Sequence, residues 1–180
     1  MLGIEKVAGL PLHVLIVHFA VVLVPLAAVS LIATGWRADW RRRYGLAIAL
    51  IAIVGAASAF VAAQSGASLA HTVRQSAAAS NQQTVNSGGG RVSLGEHPEQ
   101  GDNAEVAAIT FAVAAALLFG LEQWGDRIQI VGPEVARWLP MAAYIAASGL
   151  GAVALFTMIV AGHSGATLVW KDVGNFVSSN

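Results

Sequence analysis

Four long apolar stretches run through the chain, at Leu10–Thr34, Gly45–Ala63, Ala104–Leu121 and Leu139–Gly162. Each approaches the roughly 20 residues that a helix needs to cross about 30 Å of hydrocarbon. The second, GLAIALIAIVGAASAFVAA, is apolar at every angle of a helix, whereas a helix on a soluble core keeps a polar face. Lipid accounts for such a segment, because a spanning helix satisfies its own backbone polar groups. The pattern predicts an all-α fold, a four-transmembrane-helix bundle making one integral membrane domain over residues 1–180. Between the second and third spans the chain turns polar, and Gln75–Gly90 (QSAAASNQQTVNSGGG) is low in complexity. Such a stretch buries too little apolar surface to offset its ordering entropy, so a mobile loop is expected over about 72–94. Pro98 suits a first helical position, Asp102 with Glu105 forms a candidate capping box, and Pro25 is expected to kink the first span.

Composition agrees with lipid. Hydrophobic residues make up 56% of the chain and charged residues 11%, with a mean hydropathy of +0.66, against about 25% charged residues in soluble domains. Glu5 offsets Lys6 ahead of an apolar run longer than a signal-peptide core, which favours a retained first span. The formal net charge is zero, so no basic footprint for nucleic acid is present. There is no cysteine, which removes disulfides, thiolate metal sites and covalent haem attachment. Any metal here takes nitrogen or oxygen ligands, and any haem is non-covalent.

Arginine distribution sets an orientation. Arg37, Arg41, Arg42 and Arg43 stand with Trp36, Trp40 and Tyr44 after the first span, and Arg127 and Arg137 stand with Trp124 and Trp138 between the third and fourth. The other side carries Lys6, Arg74, Arg91 and Lys171 over longer segments. Positive short loops face the cytoplasm, so both termini are expected outside.

Four crossings place all five histidines at that outer face: His13 and His18 opening the first span, His71 after the second, His97 before the third and His163 closing the fourth. Histidine is costly in lipid and a common metal ligand, which makes a one-sided cluster a candidate site. His13 and His18 point about 140° apart on one helix, with His18 about 7.5 Å deeper. For His18 the plain alternative is a buried histidine bonded to a neighbouring helix, and for His13 and His71 it is a wet interfacial side chain. Glu99 and Asp102 share a helical face beyond His97. They either complete or orient a metal site, or simply favour a helix N-terminus through its dipole. Gly162 and Gly165 leave room beside His163 for a flat ligand, while a helix C-terminus alone favours a protonated histidine there.

An internal echo relates Gln64-Ser-Gly-Ala-Ser-Leu69 to His163-Ser-Gly-Ala-Thr-Leu168, with four of six positions identical. Phe19-Ala-Val21 and Phe111-Ala-Val113 add a weaker match. Two duplicated helical hairpins would place Gly66 and Gly165 at equivalent points beside the histidines. Small residues that let helix ends approach closely explain the same pattern without duplication.

Taken together, Gly9-Leu-Pro-Leu-His13 with His18, Gln64-Ser-Gly66, His97-x-Glu99-x-Gly101, and Gly162-His163-Ser-Gly-Ala166 followed by Val169-Trp170 resemble, in order, a bacterial family of predicted four-span membrane proteins of unknown function. The resemblance covers nearly the whole chain. It implies a multi-pass protein of the bacterial cytoplasmic (inner) membrane. Family members typically carry an acidic residue after the Ser-Gly of the second span, where this chain has Ala67. Some relatives look fused to Rieske or cytochrome c domains, which implies membrane electron transfer by association.

Two function classes remain. One is a redox or metal-binding module holding haem b, or a copper, iron or zinc ion, through His18, His97 and His163 with Gly66 and Gly165 making room. Glu99, His13 and His71 are further candidate ligands. The other is a non-catalytic subunit of a larger membrane complex, with other membrane redox subunits or a second copy as partners. The spacings Gly55/Ala59 and Ala147/Gly151 suit close helix packing in either case. No ionisable residue lies mid-span, which argues against a transporter, and nothing marks Ser164 as an activated nucleophile.

Overall fold

A computed structural model describes residues 6–7, 10–35, 37–79, 86–87, 90–91, 96–125 and 133–178. It is all-helical apart from two two-residue antiparallel pairings, Lys6–Val7 with Leu10–Pro11 and Asn86–Ser87 with Gly90–Arg91. The helices are α1 (Leu12–Thr34), α2 (Ala38–Ala79), α3 (Glu96–Trp124) and α4 (Pro133–Ser178). All four contain a segment long and apolar enough to cross a membrane.

Three helices run well past their apolar cores. α2 continues beyond Ala63 to Ala79, into the segment expected to be loop, and α4 continues beyond Gly162 to Ser178. α3 begins at Glu96, ahead of Ala104. Hydropathy marks where lipid ends, not where hydrogen bonding ends, and Ala, Gln and Arg after Gln64 are good helix formers in water. α1 ends at Thr34, whose hydroxyl donates back to the carbonyls of Ser30 and Leu31 at 3.0 and 2.9 Å.

Each helix packs on its chain neighbours and α1 closes on α4, giving an up-down-up-down ring. Specific contacts fix the directions. His13 at the start of α1 meets Ala62 and Ser65 late in α2, and Gly55 lies against Val24. Arg41 and Gly45 at the start of α2 meet Glu122 and Phe119 at the end of α3. On the α1–α4 seam, Gly35 faces Tyr144, Ala28 faces Gly151 and Val21 faces Gly162. The start of α1, the late part of α2, the start of α3 and the late part of α4 therefore share one end of the bundle.

The interior is built from small residues. Alanine dominates the buried set, from Ala20, Ala27 and Ala28 on α1 to Ala147 and Ala154 on α4, and Val24 and Phe111 are its largest fully enclosed side chains. The bulky apolar residues face outward: on α1 the stripe Phe19, Val22, Leu26 and Val29 is exposed. Water would penalise that surface heavily, at about 25 cal/mol per Å². Lipid tails are as apolar as leucine, so bundle cohesion comes from close packing of small residues instead.

Candidate functional site

The two histidines of α1 point in different directions, as their five-residue spacing requires. His13 is half-buried and reaches across to α2. Its Nδ1 lies 2.8 Å from the carbonyl oxygen of Ala62 and 3.1 Å from the hydroxyl of Ser65. Ser65 itself donates to the same carbonyl at 3.0 Å. A carbonyl oxygen can only accept, so Nδ1 is the donor and carries the proton. In the neutral ring, Nε2 therefore keeps its lone pair. A ring nitrogen that donates to a backbone carbonyl while the other keeps its lone pair is the arrangement in which metal-bound histidines are held.

Gly66 makes the approach possible. A Cβ at that position would stand 2.9 Å from Cε1 and 3.4 Å from Nδ1 of His13, closer than side chains tolerate. The ring thus lies against bare helix backbone, with Cε1 nearest. Ser164, in the echo segment of α4, makes the same one-turn-back bond as Ser65, its hydroxyl donating to Ala161 at 3.0 Å. The two repeated segments share local geometry as well as sequence.

His18 is exposed and stands one turn before Val21, which packs against Gly162. His163, also exposed, adjoins Gly162 in sequence. The α1–α4 seam therefore brings His18 and His163 to one level of the bundle, while His13 occupies the α1–α2 seam. Gly165 is half-buried on α4 and Glu99 is exposed in the first turn of α3. Continuing the antiparallel pairing of α2 with α3 sets Gln64–Gly66 level with His97–Glu99. His71 and His97 are helical, and their side chains lie outside the described residues. Among the described residues, no three His, Asp or Glu side chains converge closely enough to share one ion.

A second polar cluster closes the opposite end. Arg41 Nε donates to Glu122 Oε1 at 2.6 Å, with the two side chains 8% and 5% exposed. Another Arg41 nitrogen donates to the carbonyl of Gly35 at 2.9 Å. The guanidinium also lies 5.2 Å from the ring centre of Tyr144, whose hydroxyl donates to Ile32 at 3.0 Å. Arg41 caps the negative end of the α1 dipole while neutralising α3, and Tyr144 ties α4 to the same point. Sequence reasoning counts Arg41 only as a topology-setting charge and passes over Glu122. The available signal is a carboxylate between Leu121 and Gln123 at the close of an apolar span, on an arginine-rich face.

A family model described as predicted membrane protein (DUF2231) matches residues 9–176. Neither a curated protein nor a solved structure matches the chain.

Proposed function

The chain belongs to the DUF2231 family of predicted membrane proteins, and we propose that it binds a metal-bearing cofactor at its histidine end for electron transfer. The cofactor is either non-covalent haem b or a copper or divalent ion, with His13 Nε2 as the anchoring ligand. The observation that carries this reading is the Nδ1 bond of His13 to Ala62, which fixes the tautomer a ligand needs. Gly66 supports it by giving the ring its place. The remaining coordination would come from the same end of the bundle, which carries His18, His97, His163, His71 and Glu99. The arginine-rich end faces the cytoplasm in this reading, and the histidine end faces outward across a bacterial inner membrane.

A purely structural role in a larger complex is the competing reading. The small-residue spacings Gly55/Ala59 and Ala147/Gly151 give it no support, because all four residues are buried within this bundle. Gly55 receives Val24, and Gly151 receives Phe111 and Ala28.

The test is purification in detergent followed by oxidised and reduced absorption spectra and elemental analysis. A Soret band or stoichiometric metal, lost on His13→Ala with helicity retained, is the expected result. A protein free of both leaves only the structural role.

A further inference from the structure

We propose that Arg37, Arg42 and Arg43 form a binding surface for the headgroups of anionic phospholipids. The argument begins with what Arg41 does not do. Its charge is taken up by Glu122 and by the Gly35 carbonyl, so it is no part of the outward field. Arg37, Arg42 and Arg43 are all exposed at the same end of α2, and Arg137 is exposed on α4. Against these four, the carboxylates of that end within the described helices are Glu122, which is paired, Asp39, and Glu134 in the first turn of α4. The end keeps a net positive charge where the apolar exterior of the bundle stops, with Arg37, Arg42 and Arg43 gathered at the start of α2 against Asp39 alone.

The arginines are also presented in a way that suits phosphate. The Arg37 guanidinium lies 5.6 Å from the ring centre of Trp40, and that of Arg43 lies 5.8 Å from the ring of Tyr44. Both rings are themselves exposed, at the height where amphipathic aromatics settle among headgroups. A guanidinium resting on a ring keeps its N–H edge free, and that edge matches a phosphate oxygen pair. The chain has two lysines, Lys6 and Lys171, and neither is at this end. Every cation here has fork geometry, whereas a merely electrostatic surface has no preference for arginine over lysine. Charge, height and donor shape converge on a lipid phosphodiester with net negative charge.

The experiment uses the full-length protein in detergent, with native mass spectrometry counting the lipids retained from an equal mixture of phosphatidylglycerol and phosphatidylcholine. Phosphatidylglycerol is expected to be retained preferentially. The triple variant R37Q/R42Q/R43Q is expected to lose that preference, since each basic residue near an anionic surface contributes roughly five-fold. The variant R74Q/R91Q, altered at the other end, is expected to keep it. Arg37, Arg42 and Arg43 are exposed, so the triple variant is expected to keep the fold, which an unchanged melting temperature verifies for both variants. Equal retention of the two lipids by the unmodified protein overturns the proposal, as does an unchanged preference in the triple variant. Displacement of the lipid by excess inorganic phosphate also overturns it, identifying a site for a free anion instead.

Discussion

Arg41 and Glu122 form an ion pair at 2.6 Å across the α2–α3 seam, closed off from solvent on both sides. The pair sits where the carbonyls of Ile32 and Gly35 end α1, and where Tyr144 arrives from α4. One guanidinium thus touches all four helices, directly or through Tyr144. The desolvation cost of such a pair offsets much of its attraction, so its value lies in specifying how the helices meet.

Breaking the pair one residue at a time is expected to be far worse than removing it whole. Arg41→Met leaves the Glu122 carboxylate buried and unpaired, and Glu122→Leu strands the guanidinium. Each single substitution is expected to cost about 3–5 kcal/mol. The double variant R41M/E122L should recover most of that loss, because no uncompensated charge remains. Denaturation of the purified protein in detergent measures all three, and a double variant as unstable as the sum of the singles contradicts the account.

Close helix approach gives a second set of expectations. A Cβ on Gly55 would lie 2.9 Å from Cγ2 and 3.1 Å from the backbone nitrogen of Val24. Backbone cannot yield as a side chain can, so Gly55→Val is expected to cost about 1–3 kcal/mol through overpacking. Gly149 provides the contrast, with nothing within 4 Å of its added Cβ. There Gly149→Ala removes only the flexibility penalty of a helical glycine, and a gain of roughly 0.5–1 kcal/mol is expected. The two melting curves should therefore shift in opposite directions.

How far the sequence reveals this molecule differs between its two ends. The spans are legible because lipid demands apolar side chains at every helical angle, as in Gly45–Ala63. The ends of α2 and α4 are not legible from hydropathy, since segments such as Gln64–Ala79 stay helical on backbone bonds after leaving the apolar zone. Arg41 reads like its neighbours Arg42 and Arg43, and only three-dimensional packing turns it inward to Glu122. His13 reads as an outer interfacial histidine beside the deeper His18. Its hydrogen bond to Ala62 depends on a helix crossing that spacing along one chain cannot encode. Gly66 is the exception, since the Gln64-Ser-Gly66 stretch already stands out in the sequence.

Orientation is checked most directly with introduced cysteines, as the natural chain contains none. Ala38 is exposed at the start of α2, on the arginine-rich end. Ala38→Cys is expected to resist a membrane-impermeant thiol reagent applied to intact cells and to react once the membrane is opened. Labelling from outside intact cells would reverse the orientation and put the histidine end in the cytoplasm.

The sharpest test of the histidine site is the smallest change to it. Gly66→Ala adds one methyl group, placed 2.9 Å from Cε1 of His13. The ring must shift, and the shift is expected to weaken the Nδ1 bond to the Ala62 carbonyl that fixes the tautomer. Loss of such an orienting partner typically costs 10–100-fold in metal affinity, and that range is expected for the proposed cofactor. The substitution should not weaken the helix, because alanine is about 1 kcal/mol better than glycine in a helix interior. Cofactor loss without loss of stability is therefore the predicted signature, read from titrated binding and a melting curve on the same sample. Ser65→Ala should act in the same direction but less strongly, since the Ala62 carbonyl remains to accept from Nδ1. Unchanged cofactor affinity in Gly66→Ala would remove His13 as the anchoring ligand and shift attention to the α1–α4 seam, where His18 and His163 share a level.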